Sequence, residues 1–265
     1  FNLQVTSYFQ MGQINILIEN FNAYQVYQIR RHLNLNTAKL FVVLTEHWRI
    51  ENEQVLYLND ERWDKKREYI PDIYDRFLAF TSISDIVSGV ISLYSMPKRS
   101  HFNSVFPRIR SFNFSKFDYP ITNFSNRAPE YDMCFIGYIT KYRESVISTL
   151  RKRFNVYAGT NLDEDKRAAI IMNSKYTLNI PQNLEWKNIS PMRIISSARL
   201  GRATINITEH NQNSFPFTYS IGLDKLMTLD VNDFESIDSI IKANIESNSD
   251  DSHDLDRFVR LAYAS

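Results

Sequence analysis

Glycine is scarce in this chain, with six in 265 residues. Neither GxGxxG nor GxxxxGK[ST] occurs, so no glycine-rich loop of the usual kind is available to wrap a phosphate. Cysteine is scarcer still: Cys134 is the only one, which excludes an internal disulfide framework and suits a reducing compartment. No apolar run approaches the roughly twenty residues that span a bilayer. The start, FNLQVTSYFQ, has no basic n-region and no long apolar core, so no signal peptide is visible and a cytoplasmic location is expected. An excess of charge of one sign is also missing. The formal net charge is +1, which gives no electrostatic case for nucleic acid or an anionic membrane as partner. The histidines (His32, His47, His101, His210 and His253) are dispersed, with no HExxH and no carboxylate cluster at ligand spacing. No metal site is expected. The lack of a G-x-S-x-G elbow argues against a serine hydrolase.

What is present suffices for a globular core. Apolar residues make up 43% of the chain, and its length fits one large domain or two small ones. In the first half, residues 14–18 read as a buried strand and 23–33 as a helix. The run KLFVVLT, 39–45, is continuously apolar, as in a strand of a two-sided parallel sheet. A short strand is expected over 55–58, and DERWDKKRE, 60–68, reads as a solvated helix face. Residues 76–81 are expected as a strand and 84–94 as a helix ended by Pro97. Residues 100–127 have no clean period and read as a linker. Its aromatic and basic residues suggest packing onto the domains rather than nucleic-acid stacking, given the near-neutral charge. The sequons at Asn113, Asn123, Asn188 and Asn206 read as chance in an Asn-rich chain without a signal.

The second half is more regular. Strands are expected over 133–136, 155–158 and 226–229, and helices over 144–153, 164–172, 234–245 and 254–262, with an acidic solvent loop over 246–251. Its clearest unit is KYTLNIPQNLEWKNISPMRIISSARLGRATINIT, 175–208. A strand over 176–180 is closed by Pro181, and a polar loop leads to Ser190-Pro191. That pair is a helix start, because a serine hydroxyl caps free N–H groups and proline needs none at the first helical position. The helix over 192–200 ends at Gly201, placed for a left-handed cap, and 203–207 is the next strand. Strand, capped helix, strand is a βαβ unit of a parallel sheet. Its helix start is a natural anion site, and Arg193 adds a fork-shaped cation suited to phosphate. A plain cap beside a solvated arginine is the alternative.

With these pieces in order, the second half resembles the C-terminal, donor-binding domain of GT-B glycosyltransferases. The likeness is closest to the CgeB-like branch and the broad family-4-type enzymes. Phe135-Ile136-Gly137 with Arg143 downstream resembles the family's strand-glycine turn. Ser190-Pro191-Met192-Arg193 through Gly201 resembles its donor-loop helix. The resemblance covers about residues 130–263. It implies an α/β fold of two Rossmann-like domains facing a cleft: a short acceptor-side domain with linker over 1–127 and a donor-nucleotide-binding domain over 128–265. It implies a hexosyltransferase-like enzyme with no cofactor, using a nucleotide-diphosphate sugar as co-substrate. The acceptor would be a hydroxyl on a glycan, protein or small molecule, and no metal would be needed. Gly137, Arg143, Ser190, Met192, Arg193 and Glu209 are then expected at the donor. The acidic residue that follows the family's arginine by three positions is here Ser196, so Glu185 or Glu209 would have to hold the ribose.

The expected catalytic base is Glu46 or His47, at the C-terminal end of the strongest strand, where open α/β sheets bind ligands. A surface Glu-His beside a packing Trp48 is the competing reading. Asp60 and Asp85 are weaker candidates. Cys134, inside an expected strand, reads as a small core residue. A non-catalytic GT-B-like binding or assembly module stands as the alternative function.

Overall fold

The computed structural model describes residues 9–10, 13–18, 21–32, 39–44, 49–51, 54–56, 70–92, 105–106, 108–113, 129–182, 189–208, 215 and 217–247. The chain divides into two compact units, one of Phe1–Ser115 with His253–Ser265 and one of Lys116–Ser252.

The first unit carries a parallel sheet of β1 (Ile14–Ile18), β2 (Lys39–Leu44), β5 (Gly89–Ser92) and β6 (Arg110–Asn113), in that spatial order. A separate antiparallel pair joins β3 (Arg49–Glu51) and β4 (Gln54–Leu56). The run in β2 reads as expected for a strand covered on both faces, with Leu40, Phe41, Val42 and Leu44 all buried. Leu40, Val42, Leu44 and Val90 pack with Phe21, just before α1 (Ala23–His32), with Ile29 of that helix and with Ala79 and Phe80 of α2 (Ile70–Thr81). Phe80 meets Phe106 edge to face at 5.2 Å.

Three expectations fail here: residues 110–113, read as part of a linker, are β6, a strand of the sheet. Residues 76–81 are not a strand but the last turns of α2. Pro71 fits that helix's first turn, and buried Phe80 stands three residues after half-buried Phe77, so the apolar run has helical spacing. Of the helix expected over 84–94, residues 84–92 are described and are not helical. The Ser82 and Ser84 hydroxyls donate to the carbonyls of Leu78 and Thr81, which closes α2. Ser88 N–H then donates to Leu40 O at 2.8 Å, and Gly89–Ser92 enters the sheet between β2 and β6.

The second unit is a five-stranded, all-parallel sheet in the order β11-β10-β9-β7-β8. Its elements are β7 (Tyr131–Ile136), α3 (Lys141–Leu150), β8 (Val156–Gly159), α4 (Glu164–Met172), β9 (Ser174–Asn179), α5 (Pro191–Arg199), β10 (Ala203–Ile207), β11 (Thr218–Ile221), α6 (Leu223–Leu226) and α7 (Val231–Ser247). Helix α3 starts earlier than its apolar stripe implies, because the Thr140 side chain accepts Arg143 N–H and caps it. Asp163 caps α4 through Lys166 N–H, as the acidic first turn suits. Gly201 has φ +69 just past α5, so the left-handed cap is made as expected.

The strand expected over 226–229 is corrected. The fifth strand is Thr218–Ile221, and Leu226 ends the short helix α6. Leu226 and Leu229 are buried all the same, as plugs in the main core. The side chain of Arg153 holds this turn by donating to the carbonyls of Met227 and Leu229. Of the acidic loop expected over 246–251, Glu246 and Ser247 belong to α7 instead, and the rest lies outside the described residues.

Strand alternation sorts the sheet's two faces. Met133, Phe135, Tyr176, Leu178, Ala203 and Ile205 face α3 and α7, whose Val146, Ile147, Leu150, Ile237, Ile241 and Ile245 complete the core. Thr177 points the other way and hydrogen-bonds Ser197 of α5 at 2.8 Å. The sheet is therefore covered on both faces, as a doubly wound α/β fold requires. No helix among the described residues is long and apolar enough to cross a membrane.

Leu178 is fully buried at the centre of this core. Leu178→Ala is expected to cost about 2–5 kcal/mol. Urea unfolding of this unit, followed by circular dichroism, should show a lower midpoint with an unchanged slope.

Candidate functional site

The strand order of the second sheet reverses at β7: the chain goes first to β8 on one side, then to β9 on the other. In open parallel sheets this reversal leaves a crevice beyond the carboxyl ends of the two diverging strands. Here those ends are Ile136-Gly137 and Asn179-Ile180.

Arg193, in the first turn of α5, lies across them. Its Nε donates to Ile136 O at 3.3 Å and its Nη1 to Asn179 Oδ1 at 2.7 Å. Its guanidinium carbon stands 4.9 Å from the centroid of the Phe135 ring. Arg143 of α3 makes a second brace. It is 6% exposed, and donates from Nε to Ile180 O at 2.9 Å and from Nη1 to Tyr138 O at 2.8 Å. Its guanidinium carbon is 5.2 Å from the same ring. Two cations thus stand close to one fully buried aromatic ring, each in a favourable electrostatic contact with it. Thr140 ties the α3 start to the chain after β9 by donating to Gln182 O at 2.8 Å.

Gly137 makes room for this arrangement. Its φ is +153, and a Cβ there would stand 2.8 Å from Arg193 Nη2. Its own N–H donates to Gly159 O at 2.9 Å, joining the ends of β7 and β8. The expectation that this turn approaches a ligand's phosphates meets a specific finding: its immediate neighbour is the Arg193 guanidinium.

Ser190 does not behave as expected. Its hydroxyl makes no capping bond to α5. Its backbone N–H donates to Asn179 Oδ1 at 3.4 Å, which ties the residue before the helix to the end of β9. Met192 stands 49% exposed at the start of the helix. Ser196, where an acidic residue was expected, turns its hydroxyl back on Met192 O at 2.8 Å.

The structure thus gathers Gly137, Arg143 and Arg193 around Phe135, with Ser190 joined to them through Asn179 and Met192 on the rim. Glu46, His47, Glu209 and Glu185 lie outside the described residues, as do Asp60 and the helix expected over 254–262. Asp85 forms a two-pronged ion pair with Arg30 at 2.5 Å and 3.2 Å on an exposed surface. Among the described residues no cluster of His, Cys, Asp and Glu is arranged to hold a metal. Sequence reasoning missed Asn179, Asn206, Phe135 and Thr140. A signal was there: T-x-N recurs in β9 and β10, and T-x-S follows in β11, placing polar side chains where a buried strand needs none.

Cys134 is buried, with burial driving its thiol up to about 11 against partial relief from Ser174 and Arg202. It is a core residue, as its place in a strand implied.

No family model matches this chain, and no curated protein matches its sequence. Among solved structures it is similar to E. coli heptosyltransferase WaaC with ADP-2-deoxy-2-fluoro heptose, at 11% identity and a TM-score of 0.32, over 85% of this chain and 99% of that one. It is also similar to the same enzyme with ADP, at 12% identity and a TM-score of 0.31, over 88% of this chain and 99% of that one. The reading that follows rests on the strand-end chemistry rather than on these likenesses.

Two outcomes are expected. Gly137→Ala should displace Arg193 and cost about 1–3 kcal/mol, read as a lower melting temperature. Cys134 should resist iodoacetamide at pH 8 about a hundredfold more in the folded than in the urea-unfolded chain. Because folding raises this pKa from 9.0 to about 11, the thiol's contribution to stability is full below pH 9 and is lost as pH rises to 11.

Proposed function

We propose that the chain is a glycosyltransferase that moves a sugar, of hexose type, from a nucleotide-diphosphate donor to an acceptor hydroxyl. The observation that carries this reading is Arg193, a guanidinium held at the strand reversal beside the N-terminus of α5. A departing diphosphate gains negative charge as its bond to the anomeric carbon breaks. A fixed cation and a helix N-terminus offer stabilisation there without reorganising. In this reading they meet that charge without a metal ion. The acceptor oxygen attacks the anomeric carbon, the diphosphate leaves with the bonding electrons, and a base takes the acceptor proton. Glu46 or His47 is proposed as that base. Gly137, Arg143, Ser190, Met192, Arg193 and Glu209 are proposed for the donor side, with Arg143 acting through its brace on the strand ends. The enzyme is proposed to work in the cytoplasm.

A second reading, a non-catalytic binding module, draws on one observation: both arginines are tied to backbone carbonyls, so their role can be purely structural.

Melting curves with UDP, GDP, CDP, ADP and dTDP separate the two. One nucleotide is expected to raise the melting temperature by mass action. Met192→Glu is expected to abolish that shift while keeping the fold, since a carboxylate in the first helical turn stabilises a helix by about 0.3–1 kcal/mol. Arg193→Ala should lose the shift and also melt earlier. A flat panel from a well-folded protein, with no turnover of any nucleotide sugar, would leave only the binding module.

A further inference from the structure

Arg193 does not end at Asn179. Asn179 Nδ2 donates to Asn206 Oδ1 at 2.7 Å, and Asn206 Nδ2 donates to Ser220 Oγ at 3.1 Å. Asn206 is the register partner of both Asn179 and Ser220, so the side chains stand in one row across β9, β10 and β11. Both asparagines are nearly sealed from solvent, at 2% and 1% exposed. A second row lies one step back along the strands, where Thr177 Oγ1 and Thr204 Oγ1 share a bond of 2.8 Å and Ser197 of α5 joins Thr177. A sheet face lined this way is costly unless every group is paired.

The direction of the asparagine row is not arbitrary. A guanidinium only donates, so the oxygen of Asn179 must turn to Arg193, and its NH2 must then turn to β10. That forces the oxygen of Asn206 toward Asn179 and the NH2 of Asn206 toward Ser220. The geometry points to Asn179 and Asn206 as positioning residues: a relay of amides, oriented by Arg193, that holds its guanidinium across the strand reversal and so sets the anion affinity of that site. The affinity part rests on the function proposed above; the positioning part does not.

Two isosteric variants place one carboxyl in the row at different points. Asn179→Asp puts an ionised carboxylate against Arg193, which satisfies the cation within the protein. The row can answer by reversing its amide at Asn206, so the fold is kept. Asn206→Asp, away from any cation of the row, stays protonated by burial, accepts from Asn179 and donates its O–H to Ser220 as the amide did. With inorganic pyrophosphate as probe in titration calorimetry at low salt, Asn179→Asp is expected to bind about tenfold or more weakly. Asn206→Asp should bind as the wild type does. Equal losses in both would overturn the relay, since a merely structural row is disturbed alike by either. Asn206→Leu, which leaves Asn179 Nδ2 without its acceptor, guards against a variant that does not fold. Its Arg193 Nε–H resonance should exchange with solvent about tenfold faster than in the wild type. An unchanged exchange rate overturns the positioning role. If wild-type protein binds neither pyrophosphate nor any nucleotide, the glycosyltransferase reading falls, and the Nε–H exchange decides the relay on its own.

Discussion

One contact organises the second unit: the Arg193 guanidinium lying across the ends of β7 and β9. It supplies donors to a strand-end carbonyl and to a buried asparagine, groups of a kind that costs about 1–3 kcal/mol when buried without a partner. Much nearby follows from it. Gly137 carries no side chain because one would collide with Nη2. Phe135 presents its ring where the cation rests. Helix α5 starts where it does because its first turn is tied, through Asn179, to the end of β9.

Two buried arginines follow the same electrostatic rule at other places. Arg143 meets Tyr138 O and Ile180 O at the carboxyl ends of the strands. Arg202, just before β10, donates to Met172 O at the last residue of α4, where the helix dipole favours a cation. Arg202 is nevertheless expensive: its Nε has no partner among the described residues, and burial lowers its affinity for its proton. The sheet is thus clamped at both ends of its strands by guanidinium groups that answer backbone carbonyls. Guanidinium suits this role better than ammonium, because a planar fork can reach two acceptors at once.

How much of this was legible follows from what each signal measures. The unit β9–α5–β10 could be read from sequence because local chemistry marks it: Pro191 at the helix start, Gly201 at its end, and two apolar runs of strand length. The first unit was misread where short apolar runs carry no period. Residues 76–81 look like a strand until Pro71 and the Phe77–Phe80 spacing are counted together, and Gly89–Ser92 shows its nature only by pairing between β2 and β6. Residues 226–229 were misread because buried leucines in a turn satisfy the same composition as a strand. The site was half legible. Arg193, Arg143 and Gly137 were picked out, but Ser190 was given a capping role that its hydroxyl does not fill, while its N–H is tied to Asn179 at the end of the preceding strand. A hydrogen bond between residues eleven apart in sequence leaves no local trace, whereas the T-x-N repeat did leave one.

The shortage of glycine and the use of arginine are two sides of one solution. A glycine-rich turn offers a phosphate several backbone N–H groups at close range, because no Cβ stands in the way. With six glycines in the chain, that device is not available here. Two of them are placed where a side chain is excluded: Gly201 by its left-handed φ, and Gly137 by the guanidinium lying against it. On the proposed reading, positive charge at the strand reversal then comes from side chains. A side chain is mobile where a loop of backbone amides is fixed, and a mobile cation stabilises a developing charge poorly, since it must be reorganised first. Holding the arginine still is therefore part of the same problem. An aromatic ring beneath it, a strand-end carbonyl beside it and a row of buried amides behind it are what a glycine-poor sheet needs in order to present a fixed charge.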